Sequence, residues 1–480
     1  MSRPSLDEDK AEPRPSIPAG IDAPYQPQIL RMAAPLVVSF WLRAAFTMVD
    51  MVFAARLPGP EGIKDASVAA IGLTQPYEFM MIACWVGSSN GLTARLAAAM
   101  GAKQGDKIDQ LKRVTWRIIL TLMGLFLALA GFAWIRADLI APAGEPLVLQ
   151  QFRAYAPVLL AGFAVTAFWS ILPDSLVKAH QDTKSTMMAG LISGSTNVVL
   201  NSIFVWVFHW GISGIALATV MARIAGLAYA LMRARRHESL RIDHGGWDRP
   251  GVFDKPIRAI LVIAVPAGLG YVLMSVESIT ILEILKSTRL PTESVAAWSI
   301  FDRVSRFMAM PVIATSVAML PLCARLFGSG SVFAIRREIR TAILAVLGYL
   351  VVIVTPLALL TNDLAAQWLA KGDMTREFAS HGLLLVPLAV LAMAPFFVMR
   401  STFEGLQMPR PGLVVSILRT VGLVLPLVFL GVHWAPRLGW TDLSGAFGGY
   451  VIGTAGASIV LAAWLLRTLR AAKPSAEHTG

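Results

Sequence analysis

The chain is 480 residues long, 56% hydrophobic and only 15% charged, with a formal net charge of +12. Soluble domains carry about 25% charged residues, so this composition excludes an ordinary soluble enzyme and indicates a polytopic helical membrane protein. The apolar runs are too long for barrel strands, which need about 9–11 alternating residues. The surplus Lys and Arg of a membrane chain collect in cytoplasmic loops, so no nucleic-acid partner is expected. Cys84 and Cys323 both lie inside apolar stretches, which supports neither a disulfide framework nor a cysteine metal centre.

Residues 1–27 are polar with six prolines and are expected to form a disordered cytoplasmic tail rather than a signal peptide. From Ile29 the chain reads as apolar segments divided by charged or Gly/Pro-rich joints. The spans fall near 29–55, 67–99, 115–135, 150–173, 186–208, 213–232, 259–285, 294–325, 340–360, 379–399, 412–431 and 445–466. The expected fold is therefore all-α, with about twelve transmembrane helices by the length rule. One set of joints is rich in Lys and Arg, including Lys112, Arg113, Arg233, Arg235, Arg236 and Arg340. The alternate joints are poorer, so both termini are assigned to the cytoplasm of a plasma (bacterial inner) membrane.

Internal repetition organises these spans. Val68-Ala-Ala and Val295-Ala-Ala each open a span, 227 residues apart (295 − 68), and the same offset carries Gly101 onto Gly328. Pro35 and Pro266 open spans one and seven, and Pro157 and Pro387 fall at similar places in spans four and ten. Two pseudo-symmetric six-helix bundles around a central cavity are expected. They occupy residues 28–232 and 259–467, with a cytoplasmic linker at 233–258 and a cytoplasmic tail at 468–480. Transporters built from such repeats place their sites near the bilayer midplane.

The first span carries Asp50 deep in its second half. A charged Asp at the centre of a membrane helix costs roughly 2.5–3.5 kcal/mol, so such residues face cavities and mark ion pathways. The plainer alternative is an Asp that hydrogen-bonds a neighbouring helix. Asn197 and Asn201 are four residues apart and project from one helix face. Their amides, with the Thr219 hydroxyl, supply groups that hydrogen-bond a carboxylate or ligate a cation.

The sequence resembles the multidrug and toxic compound extrusion (MATE) family, within the wider group that includes lipid-linked oligosaccharide flippases. The likeness runs from Ile29 to about Arg467. It rests on Pro35 with Asp50 fifteen positions later, Val68-Ala-Ala-Ile-Gly, the small-residue segment Gly87–Gly101, Asn197-Val-Val-Leu-Asn201 and Gly214-Ile-Ala-Leu-Ala-Thr219. It implies a secondary active H⁺ or Na⁺ antiporter that exports amphipathic, cationic organic compounds by alternating access. It implies no cofactor, no enzymatic activity and a monomer in contact with membrane lipids. Asp50, Asn197, Asn201 and Thr219 then form the cation or proton site, with Na⁺ the one metal ion in question, and Pro35 a hinge.

Some family members have a second Asp where this chain has Asn201. In the second half the resemblance points to an acid on span seven, where Glu277 and Glu283 are the candidates for a cation or substrate site. Span ten lacks the acid that often accompanies it. Asp302, Arg303 and Arg306 form a charged cluster in span eight, and Glu78 is a further acid in span two. The alternative function is a flippase for lipid-linked oligosaccharide or a related lipid precursor, for which Arg43, Arg303 and Arg306 would bind pyrophosphate. No HExxH, GxSxG or phosphate loop is present to argue for an enzyme.

Overall fold

The computed structural model describes residues 27–471 apart from 59, 140–144, 244–246, 248 and 371. The two terminal tails expected from the sequence lie almost wholly outside the described residues. Among those residues there is no strand. The first half is built from α1 (Ile29–Ala55), α2 (Glu61–Gly101), α3 (Gly105–Ile135), α4 (Pro146–Ala179), α5 (Thr183–Ser202) and α6 (Gly211–Asp243). The second contains α7 (Pro256–Leu285), α8 (Pro291–Met308), α9 (Met310–Gly328), α10 (Val332–Tyr349), α11 (Thr355–Leu369) and α12 (Asp373–Leu384). It closes with α13 (Val386–Gly405), α14 (Pro409–Ile417), α15 (Leu425–Trp434) and α16 (Asp442–Ala471).

Four pairs in the second half are single spans with an interruption, which restores a count of six rods per half. Ala309 separates α8 from α9, and Leu385 separates α12 from α13. Five π-helical residues, Leu350–Val354, join α10 to α11, and seven, Leu418–Val424, join α14 to α15. Spans eight and ten are thus broken where the hydropathy pattern reads as continuous. Pro311 and Pro387 open the following helices, where proline's missing N–H costs nothing and its ring blocks continuation from the preceding turn. Pro157 and Pro173, by contrast, lie inside an unbroken α4, as membrane helices tolerate when neighbours satisfy the freed carbonyl. Among the described residues, ten helices, covering spans three to twelve, are long and apolar enough to cross a bilayer. Large apolar side chains point outward along them, such as Val352 (72% exposed) and Leu360 (82%). That surface suits a lipid solvent and would be an aggregation hazard in water.

Aromatic packing fills each half. Phe152, Phe163 and Phe168 are buried in the first, and Trp298, Phe301, Phe447 and Tyr450 in the second. A third core joins the halves, where Ile29, Met32 and Leu36 of α1 pack with Met319, Phe403 and Leu461. The buried Glu338 of α10 accepts hydrogen bonds from the backbone N–H groups of Gln28 (2.6 Å) and Ile29 (3.0 Å), so a second-half carboxylate caps the first helix.

The repeat seen in the sequence reappears as a crossing. A Cβ on Gly101 would run into the carbonyl of Arg325, and one on Gly328 into the carbonyl of Ala98. The 227-residue offset that relates the glycines also relates Ala98 to Arg325. The ends of α2 and α9 therefore touch backbone to backbone about the pseudo-twofold. Arg95 donates to the Ala259 carbonyl (2.9 Å) and Gln407 to the Ala94 carbonyl (3.0 Å) at the same level. These hydrogen bonds between the halves lie on the side of the bundle that carries the amino terminus.

On that side Asp182 caps α5, accepting from the Ser185 N–H (3.0 Å), and it also binds Arg233 (2.9 Å) and His237 (2.8 Å) of α6. Burial alone would raise the Asp182 carboxyl, but hydrogen bonds from Ser185, Arg233 and His237 outweigh it and hold the group below the usual carboxylate range.

Candidate functional site

Asp50 sits five residues before the end of α1, far from the crossing that joins the halves. Its carboxylate is half-buried and receives three hydrogen bonds. Oδ1 accepts from Asn201 Nδ2 at 2.9 Å and from Asn197 Nδ2 at 3.3 Å, and Oδ2 accepts from Thr219 Oγ1 at 2.7 Å. Asn197 and Asn201 reach it from successive turns of α5, as their spacing requires, and Thr219 reaches it from α6. The amides are also linked to each other (3.3 Å), and Asn197 donates to Thr219 at 2.9 Å. The four residues singled out in the sequence thus meet at one point.

Two features of this cluster bear on chemistry. All three donors to Asp50 are uncharged, so the direct hydrogen bonds leave its negative charge in place. Asn201 Oδ1 is fully buried and has no hydrogen-bond partner among the described residues. Buried polar atoms are nearly always paired, so an orphan acceptor beside a carboxylate marks where a ligand, water or proton belongs. Amide oxygens and a carboxylate are also suitable hard-cation ligands. The residues therefore fit a small cation or a proton.

Sequence reasoning missed two members of this region. Arg223, one turn beyond Thr219 on α6, acts electrostatically on both Asp50 and Glu78, and its guanidinium lies 3.8 Å from the centroid of the Phe163 ring. Tyr155 of α4 is buried within electrostatic reach of the same two acids. An arginine inside a membrane span is itself a functional signal, and the four-residue spacing from Thr219 could have exposed Arg223. Glu78 is half-buried on α2. Pro35 lies within an unbroken α1.

The second half places its acids differently. Glu277 of α7 is buried and held by Arg419, with Nη2 at 2.6 Å from Oε1 and Nη1 at 3.0 Å from Oε2. Thr420 donates to Oε2 at 2.8 Å. The wide turn of the π segment lets two consecutive residues, Arg419 and Thr420, address one carboxylate. Glu283 is not brought to Glu277. It stands on the exposed end of α7 and pairs with Lys286 at 2.6 Å. Asp302 and Arg306 form an i, i+4 pair at 2.9 Å, and Arg306 also donates to Ser278. Arg303 is exposed, and the side chain of Arg43 lies outside the described residues.

A further buried ion pair, Arg400 with Glu404 (3.3 Å), was not legible in the sequence. Arg400 donates to the Ala267 carbonyl (2.8 Å), and Asn90 of α2 donates to Glu404 (3.3 Å), linking the halves.

The family model described as MatE matches residues 35–203 and 266–430, one stretch in each half. A probable multidrug resistance protein, YoeA of Bacillus subtilis, is 22% identical over 428 residues, covering 83% of this chain and 85% of its own. A protein of Shewanella oneidensis named FAD transporter is 20% identical over 425 residues, covering 86% and 89%. Among solved structures, the Vibrio cholerae MATE transporter VcmN in its bent form superposes with a TM-score of 0.80. It is 23% identical, with 93% of this chain and 97% of that chain covered.

Proposed function

The chain belongs to the MatE family of multidrug efflux transporters, and from that premise we propose that it is an antiporter in which Asp50 carries the coupling ion. The observation that supports this reading most directly is the set of neutral partners around Asp50. With Asn197, Asn201 and Thr219 as donors, the ionised carboxylate is hydrogen-bonded by neutral groups, and Arg223 offsets its charge through space. Uptake of H⁺ or Na⁺ removes that charge.

The two ions make different demands. A protonated Asp50 gains an O–H donor that needs an acceptor, and rotation of the Asn201 amide turns its orphan oxygen toward the carboxyl. Na⁺ would use the same oxygen with the carboxylate and the Thr219 hydroxyl. Each charge carried inward gains about 2.3 kcal/mol per 100 mV of membrane potential. With the amino-terminal side assigned to the cytoplasm, the halves meet on the cytoplasmic side, and the ion and exported compound exchange with the exterior. Pro35 supplies a missing backbone hydrogen bond at which α1 can bend. The cargo is assigned as an amphipathic organic cation. The flippase alternative is less favoured, because Asp302 balances Arg306.

The test is transport in proteoliposomes, with H⁺ and Na⁺ gradients imposed separately on a panel of cationic dyes. FAD belongs on the panel because the Shewanella relative bears that name. Dye movement driven by either gradient supports the reading. Scrambling of lipid-linked sugar without a dye signal would replace it with the flippase.

A further inference from the structure

A concavity unrelated to the Asp50 cluster runs down the flank of the bundle between α3 and α7. Its mouth, about 610 Å³, is rimmed by Arg117, Lys255 and Arg258. It continues into an apolar hollow of about 450 Å³, and Arg117, Ile257 and Leu261 belong to both. Ile118, Leu122, Val265, Leu269 and Val272 wall this lower part. Behind it α2 and α7 cross closely: a Cβ on Gly87 would come within 2.5 Å of the Ala264 carbonyl and 3.0 Å of the Gly268 nitrogen. That contact closes the hollow toward the bundle axis. Val265 (50% exposed) and Val272 (44%) face outward, so the groove opens sideways into the bilayer.

We propose that this groove binds an anionic phospholipid, with the phosphate held by Arg117, Lys255 and Arg258 and an acyl chain lying along the apolar hollow. Charge is the first argument. All three side chains are exposed, and among the described residues none forms an ion pair with a carboxylate. Basic pockets between membrane helices suit anionic headgroups. Depth is the second. Arg117 immediately precedes the apolar run 118–135, and Arg258 immediately precedes the run 259–276. Both therefore stand where hydrocarbon gives way to headgroups. Trp116, 42% exposed, lies beside them at the level favoured by interfacial aromatics.

The mouth is also pre-built. Gln110 of α3 exchanges two hydrogen bonds with the backbone of Phe253, both 2.8 Å, and Lys107 lies 4.8 Å from the centroid of the Phe253 ring. The segment leading into α7 is thereby pinned to α3, which fixes Lys255 and Arg258 opposite Arg117. The N-cap residue Lys255 makes no side-chain cap, so the first-turn N–H groups of α7 add positive potential at the same place.

Native mass spectrometry of the delipidated, detergent-purified full chain tests the proposal, with phosphatidylglycerol titrated against phosphatidylcholine of matched chains. Each basic side chain near a headgroup is worth about fivefold. Wild type should therefore prefer phosphatidylglycerol by tenfold or more, and R117Q/R258Q should lose most of that preference. L261W, which fills the groove without altering charge, should weaken phosphatidylglycerol binding several-fold, and it keeps the test decisive should the double variant fail to fold. Equal binding of the two lipids, or phosphatidylglycerol binding that neither R117Q/R258Q nor L261W alters, would overturn the proposal. So would displacement of the lipid by millimolar inorganic phosphate, which would indicate a free-phosphate site.

Discussion

Each half holds a carboxylate on its first helix and answers it with side chains from its fifth span, yet the two answers differ in charge. In the first half, α5 offers Asn197 and Asn201 to Asp50, with Thr219 from α6. In the second, the corresponding span offers Arg419 and Thr420 to Glu277. One carboxylate keeps its charge and an adjacent orphan oxygen. The other is closed by a bidentate guanidinium that never deprotonates. The same scaffold thus surrounds one carboxylate with neutral donors and ties the other to a cation of its own chain. We therefore read ion coupling as the work of the first half and Glu277–Arg419 as a structural tie.

That comparison can be broken most forcefully at the tie. Arg419→Met leaves Glu277 buried and uncompensated, which should cost about 3–5 kcal/mol in thermal or denaturant unfolding. Adding Glu277→Leu should recover most of the loss, because a buried ion pair is often replaceable by apolar groups. If the double variant transports with an unchanged ion dependence, Glu277 is excluded from coupling.

A smaller change is expected at the crossing of α2 and α9. Gly328→Ala places a methyl against the Ala98 carbonyl, so it should destabilise the contact between the halves. A cysteine pair engineered on the carboxy-terminal ends of α2 and α9 should then cross-link severalfold more slowly than in the parent protein. Asn201→Asp adds a second carboxylate to the Asp50 cluster and should alter the cation dependence of transport; an unchanged dependence would place Asn201 outside the site.

The smallest effect concerns pH. Asp182 titrates below its unfolded value, near 3.9, so the stability it contributes is fully present above that value. It is lost only as the pH falls further, through the lower folded value. Asp182→Asn should therefore lower the melting temperature at pH 7 and 5 alike, and the difference from wild type should shrink below about pH 4.

Much of this was readable in the chain. The apolar runs carried the number of spans, and the 227-residue offset carried the pairing of Gly101 with Gly328. Asp50 and the two asparagines announced themselves as polar groups where hydrocarbon belongs. The breaks at Ala309 and Leu385 and the π segments were not readable, because hydropathy does not register a lost or displaced backbone hydrogen bond. Arg419 escaped notice because its partner lies 142 residues away, and nothing local distinguishes a buried arginine from one that snorkels to the interface. Glu277 and Glu283 were weighed together as neighbouring acids, yet six residues on a helix separate their faces, and one is buried while the other meets water.

The central claim is that Asp50 alone carries the coupling ion. The direct measurement is gradient-driven dye efflux by Asp50→Asn and by the Glu277→Leu/Arg419→Met double variant, reconstituted side by side in proteoliposomes after circular dichroism has confirmed that both are folded. The account predicts background-level efflux for Asp50→Asn and substantial, ion-dependent efflux for the double variant. Retained gradient-driven efflux by Asp50→Asn would contradict it.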